Sequence, residues 1–493
     1  MKKGFTLIEL LAVIVILAII AVIAVPIVLN IIDESKNNAT LRSADFYLNA
    51  VEYTVADRML DNKAVANGTY SILENGNICL KYTDNTCTDE MKVEVNGEKP
   101  SNGTITIENG KIKQVSLIFN TQTIVKNDKG QIVFEELTFA ESILKSYGGL
   151  SQIKENSSFT TTTADGEYGL YKAEDDYGTS YYFRGDVENN YVKFGTWNET
   201  VVSELYYPVD YYYQDGFETY EMCIAPIQQG APWTDCAQIT YANENDPMYW
   251  RIVRINGDGT IRLVYDGVEK VKNGTKHKAT IAKSKFEDDF YSGYSHNGRA
   301  DSTIKSIVDQ WYKDNLEEHY NSYIEDTIFC SDGEVTKYEY YSDFTPVETE
   351  EEANVINEYY GAYSRLIENK TPSLKCERNI DRYTINEEKG NGYLTNPVGL
   401  ITADEVAMAG SVYNSSGSSS YYLYSGERYW TFSPSDYLDG PDIYDAFGDS
   451  GTGAISRDVT VTVMEVRPVI NLKADVRFTG TGTIEDPYVI ITE

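Results

Sequence analysis

The sequence predicts an α+β protein: a long N-terminal helix packed on an antiparallel β-meander, followed by a large and mostly β domain of the same class. Three observations carry this prediction. An almost unbroken apolar run covers residues 5–26, alternating segments separated by Asn-Gly pairs cover 69–135, and residues 166–493 are rich in short strand patterns. A chain of 493 residues is also longer than one ordinary domain.

The apolar run predicts a membrane-spanning helix. Between Phe5 and Val25 the only charged residue is Glu9. At ~1.5 Å per residue this segment is long enough to cross a hydrocarbon core about 30 Å thick. A carboxylate in such a helix costs about 2.5–3.5 kcal/mol near its centre and less near an end, so Glu9 requires an explanation.

Charges on either side of the run predict its orientation. Lys2 and Lys3 precede it, and Asp33 and Glu34 follow it. Positive residues remain on the cytoplasmic side, so we expect a single-pass protein in the cell membrane with a cytoplasmic amino terminus. The remaining chain would then lie outside the cell.

The segment from Lys3 to Leu10, Lys-Gly-Phe-Thr-Leu-Ile-Glu-Leu, resembles the prepilin signal of type IV pilins and of the pseudopilins of type II secretion and DNA uptake. The resemblance implies cleavage between Gly4 and Phe5 by a prepilin peptidase, which leaves 1–4 as a leader peptide. It also implies methylation of the new amino terminus on Phe5 by the same peptidase/methyltransferase.

The same resemblance gives roles to two further residues. Glu9 would neutralise the amino terminus of a neighbouring pilin subunit in a filament, and Pro26 would kink the 5–26 helix. Membrane lipid would surround this helix before assembly. A buried carboxylate is tolerable when it is paired, so the expected role of Glu9 is physically consistent. The alternative is a plain membrane anchor in which Glu9 reaches the interface.

Helical periodicity continues beyond Pro26 to about Leu60, with apolar residues at steps of three to four among polar ones. The 69–135 segment then alternates between apolar and polar residues and contains Asn109-Gly110 and three similar pairs, which favour tight hairpin turns. We therefore expect a pilin-like helix and meander over 27–135.

The next segment, 136–165, is rich in small and polar residues and is predicted to be a linker. An extracellular head domain is predicted over 166–493. It contains one clear amphipathic helix at about Thr303–Tyr320, and an insertion at about 196–248 that a disulfide would hold.

Six cysteines agree with an oxidising exterior. Fifteen pairings are formally possible, but pairing between sequence neighbours keeps each loop inside one predicted module. The expected disulfides are Cys79 with Cys87, Cys223 with Cys236, and Cys330 with Cys376.

Four segments of the head, 249–259, 400–406, 429–435 and 466–472, look like a module of bacterial surface proteins. Their order is similar to that of C-type-lectin-like and formylglycine-generating-enzyme-like domains. The segments are hydrophobic and Trp-rich, so we expect them to form core rather than a catalytic site.

The charge and the aromatic composition bear on partners. The formal net charge of −34 disfavours direct binding to nucleic acid. Tyrosine is abundant, with 41 residues. Tyrosine can serve as a structural aromatic or form a surface that binds an extracellular carbohydrate or protein ligand.

We find no pattern typical of an enzyme or a cofactor site. His277, His296 and His319 are scattered, and none has a partner at metal or nucleophile spacing. The acidic run 436–449 has oxygen ligands that suit calcium, but its spacing differs from an EF-hand, and a solvated acidic loop is the preferred interpretation. We therefore expect no metal, no cofactor and no catalytic activity.

The predicted function is that of a minor pilin or pseudopilin that displays a large extracellular head for adhesion or surface binding. Such a subunit would move from the membrane into a pilus or remain at the cell surface. The alternative is a membrane-tethered binding or enzymatic domain that never polymerises.

Overall fold

The protein is described by a computed structural model over residues 35–492, apart from 62, 64, 74, 81, 84–85, 88–89, 96, 120–121, 128, 136, 157, 164–166, 210–215, 287–300, 343–344, 415–419 and 439–442. The chain forms two compact units, Met1–Glu136 and Leu137–Glu493.

The smaller unit is a helix packed on a sheet. The helix covers residues 35–60, and its inward face presents apolar side chains at helical spacing. The buried residues of this face are Ala44, Tyr47, Leu48, Val51 and Val55, which pack in one core with the inward side chains of the sheet. Helix and sheet are thus held together by burial of two amphipathic surfaces.

The sheet of the smaller unit has seven strands, all paired antiparallel. In spatial order they are Glu90–Met91, Ile78–Cys79, Gly68–Ile72, Asn102–Glu108, Lys111–Phe119, Gln122–Lys126 and Ile132–Phe134. A separate two-residue pair joins Tyr82–Thr83 to Thr86–Cys87. At the central hairpin Asn109 and Gly110 both have positive φ, 52° and 70°. This conformation is the one that a type I′ turn requires.

The larger unit contains short helices between many strands. Its α-helices are Phe139–Ser146, Tyr220–Ile224, Thr303–Tyr312, Gly361–Tyr363 and Ala403–Ala409. Two of them continue as π-helical turns, at Lys313–Glu317 and Ser364–Asn369. Single 3₁₀ turns occur at Leu150–Gln152, Ala225–Gln229, Asn321–Tyr323, Glu350–Glu352 and Asn379–Asp381.

The main sheet of this unit has nine strands. Seven follow one another in the spatial order Val398–Leu400, Pro468–Leu472, Ile261–Gly267, Pro247–Ile255, Tyr191–Thr196, Tyr488–Ile490 and Phe478–Thr479. The hairpin Tyr168–Asp175 and Gly178–Gly185 joins this sheet by pairing with Pro247–Ile255. Pairing is antiparallel except between Tyr191–Thr196 and Tyr488–Ile490.

A second sheet has eight strands. Six of them run in the order Ala282–Ser284, Met464–Val466, Arg428–Leu438, Val355–Tyr360, Val335–Ser342 and Thr345–Val347, and Ile443–Ser450 and Ile455–Val459 extend it from Arg428–Leu438. Two-stranded pairs join Val201–Pro208 to Cys236–Ala242 and Phe329–Cys330 to Arg382–Tyr383.

An aromatic cluster lies in the core of the larger unit. The rings of Trp197, Trp250, Tyr265 and Trp311 have centroids 5.5 to 6.2 Å apart, in edge-to-face or tilted arrangements that aromatic pairs prefer. Trp250 and Trp430, from two of the Trp-rich segments, are completely buried. These segments are therefore core, as their composition indicates.

The segment expected to be a linker differs from that expectation. Residues from Leu137 onward belong to the larger unit, and Phe139–Ser146 is a helix with a capping box between Thr138 and Glu141. Phe139 and Ile143 lie in the core of that unit. The expectation of a linker depended on the small and polar residues farther along the segment, whereas the helix occupies its beginning.

No helix in the part of the chain that the structure describes is long and apolar enough to cross a membrane. The predicted membrane helix, 5–26, lies outside the described residues.

Candidate functional site

The predicted assembly residues Gly4, Phe5, Glu9 and Pro26 all lie outside the described residues, which begin at residue 35. The helix that follows them, 35–60, is described in full.

The outward face of the 35–60 helix carries an apolar stripe, formed by Phe46, Tyr53 and Leu60. These side chains are 61%, 75% and 82% exposed. They are spaced by seven residues, so they lie on one side of the helix, away from the buried face. These apolar side chains are therefore available for contact with another molecule.

The three disulfides join sequence neighbours: Cys79 to Cys87, Cys223 to Cys236, and Cys330 to Cys376. They fit the expectation of a disulfide-bonded protein. The Cys223–Cys236 disulfide joins helix Tyr220–Ile224 to strand Cys236–Ala242. Trp233 and the two cysteines belong to a small separate hydrophobic core. The insertion around 196–248 is thus a stapled element with a core of its own.

The described part of the acidic run, 436–438 and 443–449, is not a loop. It belongs to strands Arg428–Leu438 and Ile443–Ser450, and Asp436 and Asp449 are fully buried. Arg457 Nη1 donates to Asp436 at 2.5 Å, and the Tyr421 hydroxyl donates to Asp449 at 2.7 Å. The preferred interpretation was wrong for these two residues, because their partners lie on other segments. Among the described residues no cluster of acidic, histidine or cysteine side chains has the arrangement of a metal site.

The two described histidines, His277 and His319, have different surroundings. His277 Nε2 lies 3.1 Å from Asp266 Oδ1, and Arg467 Nη2 donates to the same oxygen at 3.0 Å. Burial alone would lower the pKa of His277, but the Asp266 carboxylate outweighs it and the pKa is raised. His319 is exposed, and His296 lies outside the described residues.

A buried ionic network surrounds Glu405, a residue that the sequence did not single out. Glu405 Oε1 lies 3.0 Å from Arg254 Nε and 2.6 Å from Arg262 Nε, and Arg254 Nη1 lies 2.8 Å from Asp175 Oδ2. Burial would raise the pKa of Glu405, but the two guanidinium groups, Arg262 first, hold it below its usual value.

This network has a structural role. Glu405 also accepts from the backbone N–H of Thr402 at 3.0 Å and so caps helix Ala403–Ala409. The cavity beside the network has a volume of about 30 Å³, which is room for about one water molecule. A ligand of metabolite size does not fit there.

A larger cleft is open beside helix Thr303–Tyr312. Its volume is about 730 Å³, which suits a small organic ligand or a short oligosaccharide. Trp197, Val201, Ile307 and Trp311 supply apolar surface. The described lining includes four carboxylates and no basic residue, the carboxylates being Glu199, Glu204, Asp301 and Asp314. A neutral or cationic ligand is therefore favoured over an anionic one.

The comparison with known proteins concerns the amino terminus. Residues 1–25 match the protein family described as the prokaryotic N-terminal methylation motif. The match supports a type IV pilin-like prepilin signal, with processing by a prepilin peptidase and assembly with other pilins. No curated protein and no solved structure shows significant similarity to the chain. The resemblance of the head to lectin-like domains thus finds no support.

Proposed function

We propose that this chain is a minor pilin or pseudopilin that carries a large extracellular head into a filament, where the head serves adhesion or surface binding. The observation that carries the proposal is the methylation motif over residues 1–25. In this proposal cleavage falls between Gly4 and Phe5, Phe5 is methylated, and Glu9 pairs with a neighbour's amino terminus.

The smaller unit supports assembly through its helix. Its inward face is buried against the sheet, while the apolar stripe of Phe46, Tyr53 and Leu60 is open to solvent. Each large apolar side chain contributes about 1.5–3 kcal/mol when it is fully buried. A neighbouring subunit that covers the stripe would therefore gain stabilisation that the isolated chain lacks.

The larger unit supports a binding role rather than a catalytic one. Its cleft of about 730 Å³ offers apolar surface and carboxylates, a combination suited to the apolar faces and hydroxyl groups of a carbohydrate. The buried charged cluster around Glu405 is paired internally and adjoins space for about one water. The alternative remains a tethered surface domain that never polymerises.

The test is the amino terminus of the mature protein. Peptide mass spectrometry of the protein from its native cells should find Phe5 as the first residue and carrying a methyl group. Gly4→Leu should leave the full-length precursor in the membrane, because the residue before the cleaved bond has become bulky. Lys2→Arg keeps the charge and serves as the control. A mature terminus at Phe5 in Gly4→Leu, or an uncleaved wild type, would contradict the proposal.

A further inference from the structure

Lys305 is a lysine whose side chain is completely buried. It lies in the first turns of helix Thr303–Tyr312, which begins after the cap residue Ser302. Its exposed fraction is 0%. Lysine is almost never fully buried unless it is paired, so the groups that meet its amine decide what it does.

Two carboxylates and a hydroxyl contact this amine. Lys305 Nζ lies 2.5 Å from Asp309 Oδ2 and 3.0 Å from Asp301 Oδ2, and it donates to Thr395 Oγ1, next to Asn396, at 3.4 Å. The other oxygen of Asp309 accepts a hydrogen bond of 3.0 Å from Asn396 Nδ2. One carboxylate therefore contacts both the amine of Lys305 and the side-chain amide of Asn396.

Asn396 and Asp309 are also buried. Asn396 is 5% exposed and Asp309 is 8% exposed. Asn396 precedes strand Val398–Leu400, so the amide and the amine belong to elements far apart in sequence. Asp301 differs from them, since 42% of its side chain is exposed, and it pairs with Lys305 from the surface.

We propose that Lys305 and Asn396 form an intramolecular amide bond, with Asp309 transferring the proton. Asp309 accepts a proton from the Lys305 ammonium, and the free amine attacks Cγ of Asn396. The bond between Cγ and Nδ2 breaks, and Asp309 returns the proton to the departing nitrogen. As the Nζ–Cγ amide forms, Nζ loses a second proton through Asp309 to the departing ammonia, which leaves as one ammonium ion. The lysine charge is lost with it, so that atoms and charge balance without any co-reactant.

The geometry brings both reacting side chains to one carboxylate. The Lys305 amine contacts Oδ2 of Asp309 and the leaving nitrogen of Asn396 contacts Oδ1, which places Asp309 as a general acid–base group between them. All three side chains are buried, and fixed proximity lowers the activation free energy of intramolecular reactions. Little water reaches the three side chains to compete.

The bond would tie helix Thr303–Tyr312 covalently to the segment that enters strand Val398–Leu400 at the edge of the main sheet. It would lie in the larger unit beside the cleft, since Asp301 and Thr303 line that cleft. A head that meets a ligand under load would then resist separation of these two elements.

The experiment is peptide mapping of the full chain, purified in detergent and reduced. After trypsin digestion the wild type should yield a branched peptide that joins the segments containing Lys305 and Asn396. Its mass should be that of the two peptides less one ammonia, and trypsin should not cleave at Lys305. Linear peptides with unmodified Lys305 and Asn396 in the wild type would overturn the proposal without any variant being needed.

Three variants and one control test the individual roles. Lys305→Arg keeps the ion pairs and should abolish the branched peptide, whereas Lys313→Arg, an exposed lysine nearby, should leave it unchanged. Asp309→Asn should leave both side chains unlinked, and a bond that still forms would overturn the role of Asp309. Asn396→Asp should link with loss of water instead of ammonia, and a branched peptide in Lys305→Arg would show that another lysine reacts.

Discussion

At the scale of single residues, Glu465 has a buried carboxyl group whose desolvation is not fully offset by hydrogen bonds. It lies on strand Met464–Val466 with 3% of its surface exposed, and its Oε2 accepts no hydrogen bond from the described residues. Burial, and then the nearby Glu427 carboxylate, raise the pKa of Glu465 to about 8. The folded protein therefore holds this group neutral at pH values where an unfolded chain ionises it.

This difference predicts a pH dependence of stability. A raised pKa in the folded state contributes stability that is present below about pH 4.5 and is lost as the pH rises to about 8. Glu465→Gln removes the titration, so it should raise the free energy of unfolding of the larger unit above pH 8 by roughly 2–4 kcal/mol and change it little at pH 4.5.

Thermal unfolding of both proteins across this pH range measures the effect. Glu485→Gln, at an exposed position, serves as the control. The prediction fails if the difference in melting temperature between Glu465→Gln and the wild type is the same at both ends of the range.

The arginines in the Trp-rich segments show what sequence could predict at this scale. Composition indicated that these segments form core, and Trp250 and Trp430 are buried. The ion pairs inside the core were missed, because Arg254 meets Glu405 from 151 residues away and Arg467 meets Asp266 from 201 residues away. A local sequence pattern cannot predict ion-pair partners at such separations.

At the scale of elements, the 35–60 helix has two apolar faces with different roles. One is buried on the sheet of the smaller unit, and the other is the exposed stripe of Phe46, Tyr53 and Leu60. Since stripe residues contribute nothing to the core, changes there separate assembly from folding.

We predict that the double variant Phe46→Ser and Tyr53→Ser folds normally but enters filaments severalfold less than the wild type. Its circular dichroism and melting temperature should change little, because surface substitutions are usually within about 0.5 kcal/mol. Glu52→Ser, at an exposed polar position on the same helix, is the matched control. The measurement is the ratio of sheared-filament to membrane-bound protein, and an unaltered ratio would remove the stripe from the assembly surface.

Elements with strong local patterns were predictable. The helix that ends at residue 60 and the turn at Asn109-Gly110 follow directly from periodicity and from the positive φ values that Asn and Gly tolerate. Helix Phe139–Ser146 was assigned to a linker, because a short amphipathic stretch acquires a stable helical state only from the core into which Phe139 packs. The strands at 428–450 were not predicted, because they contain acidic residues whose partners lie on other segments of the chain.

At the scale of the whole molecule, the proposal joins an assembly segment at the amino terminus to a much larger unit that begins at Leu137. A head of this size suits a tip or a minor position, because subunits along a shaft are crowded. The proposed pairing of Glu9 between subunits is the step on which filament entry depends.

We predict that Glu9→Gln leaves membrane insertion and cleavage intact while incorporation into filaments falls. Removal of one member of a buried ion pair costs about 3–5 kcal/mol, chiefly because the other charge remains unpaired. The ratio of sheared-filament to membrane-bound protein should drop in cells that produce the rest of the machinery. Lys2→Arg is the control, and equal ratios for Glu9→Gln and wild type would favour a tethered surface protein.

The parallel pairing of Tyr191–Thr196 with Tyr488–Ile490 has a consequence for biosynthesis. Val192 lies opposite Tyr488, so strand Tyr191–Thr196 can complete its pairing only after a segment nearly three hundred residues farther along the chain has been synthesised. Until then one edge of Tyr191–Thr196 presents unpaired backbone groups, which invite pairing with other chains. The nascent larger unit therefore needs protection during translation, and its sheet is completed only after residue 490 has left the ribosome.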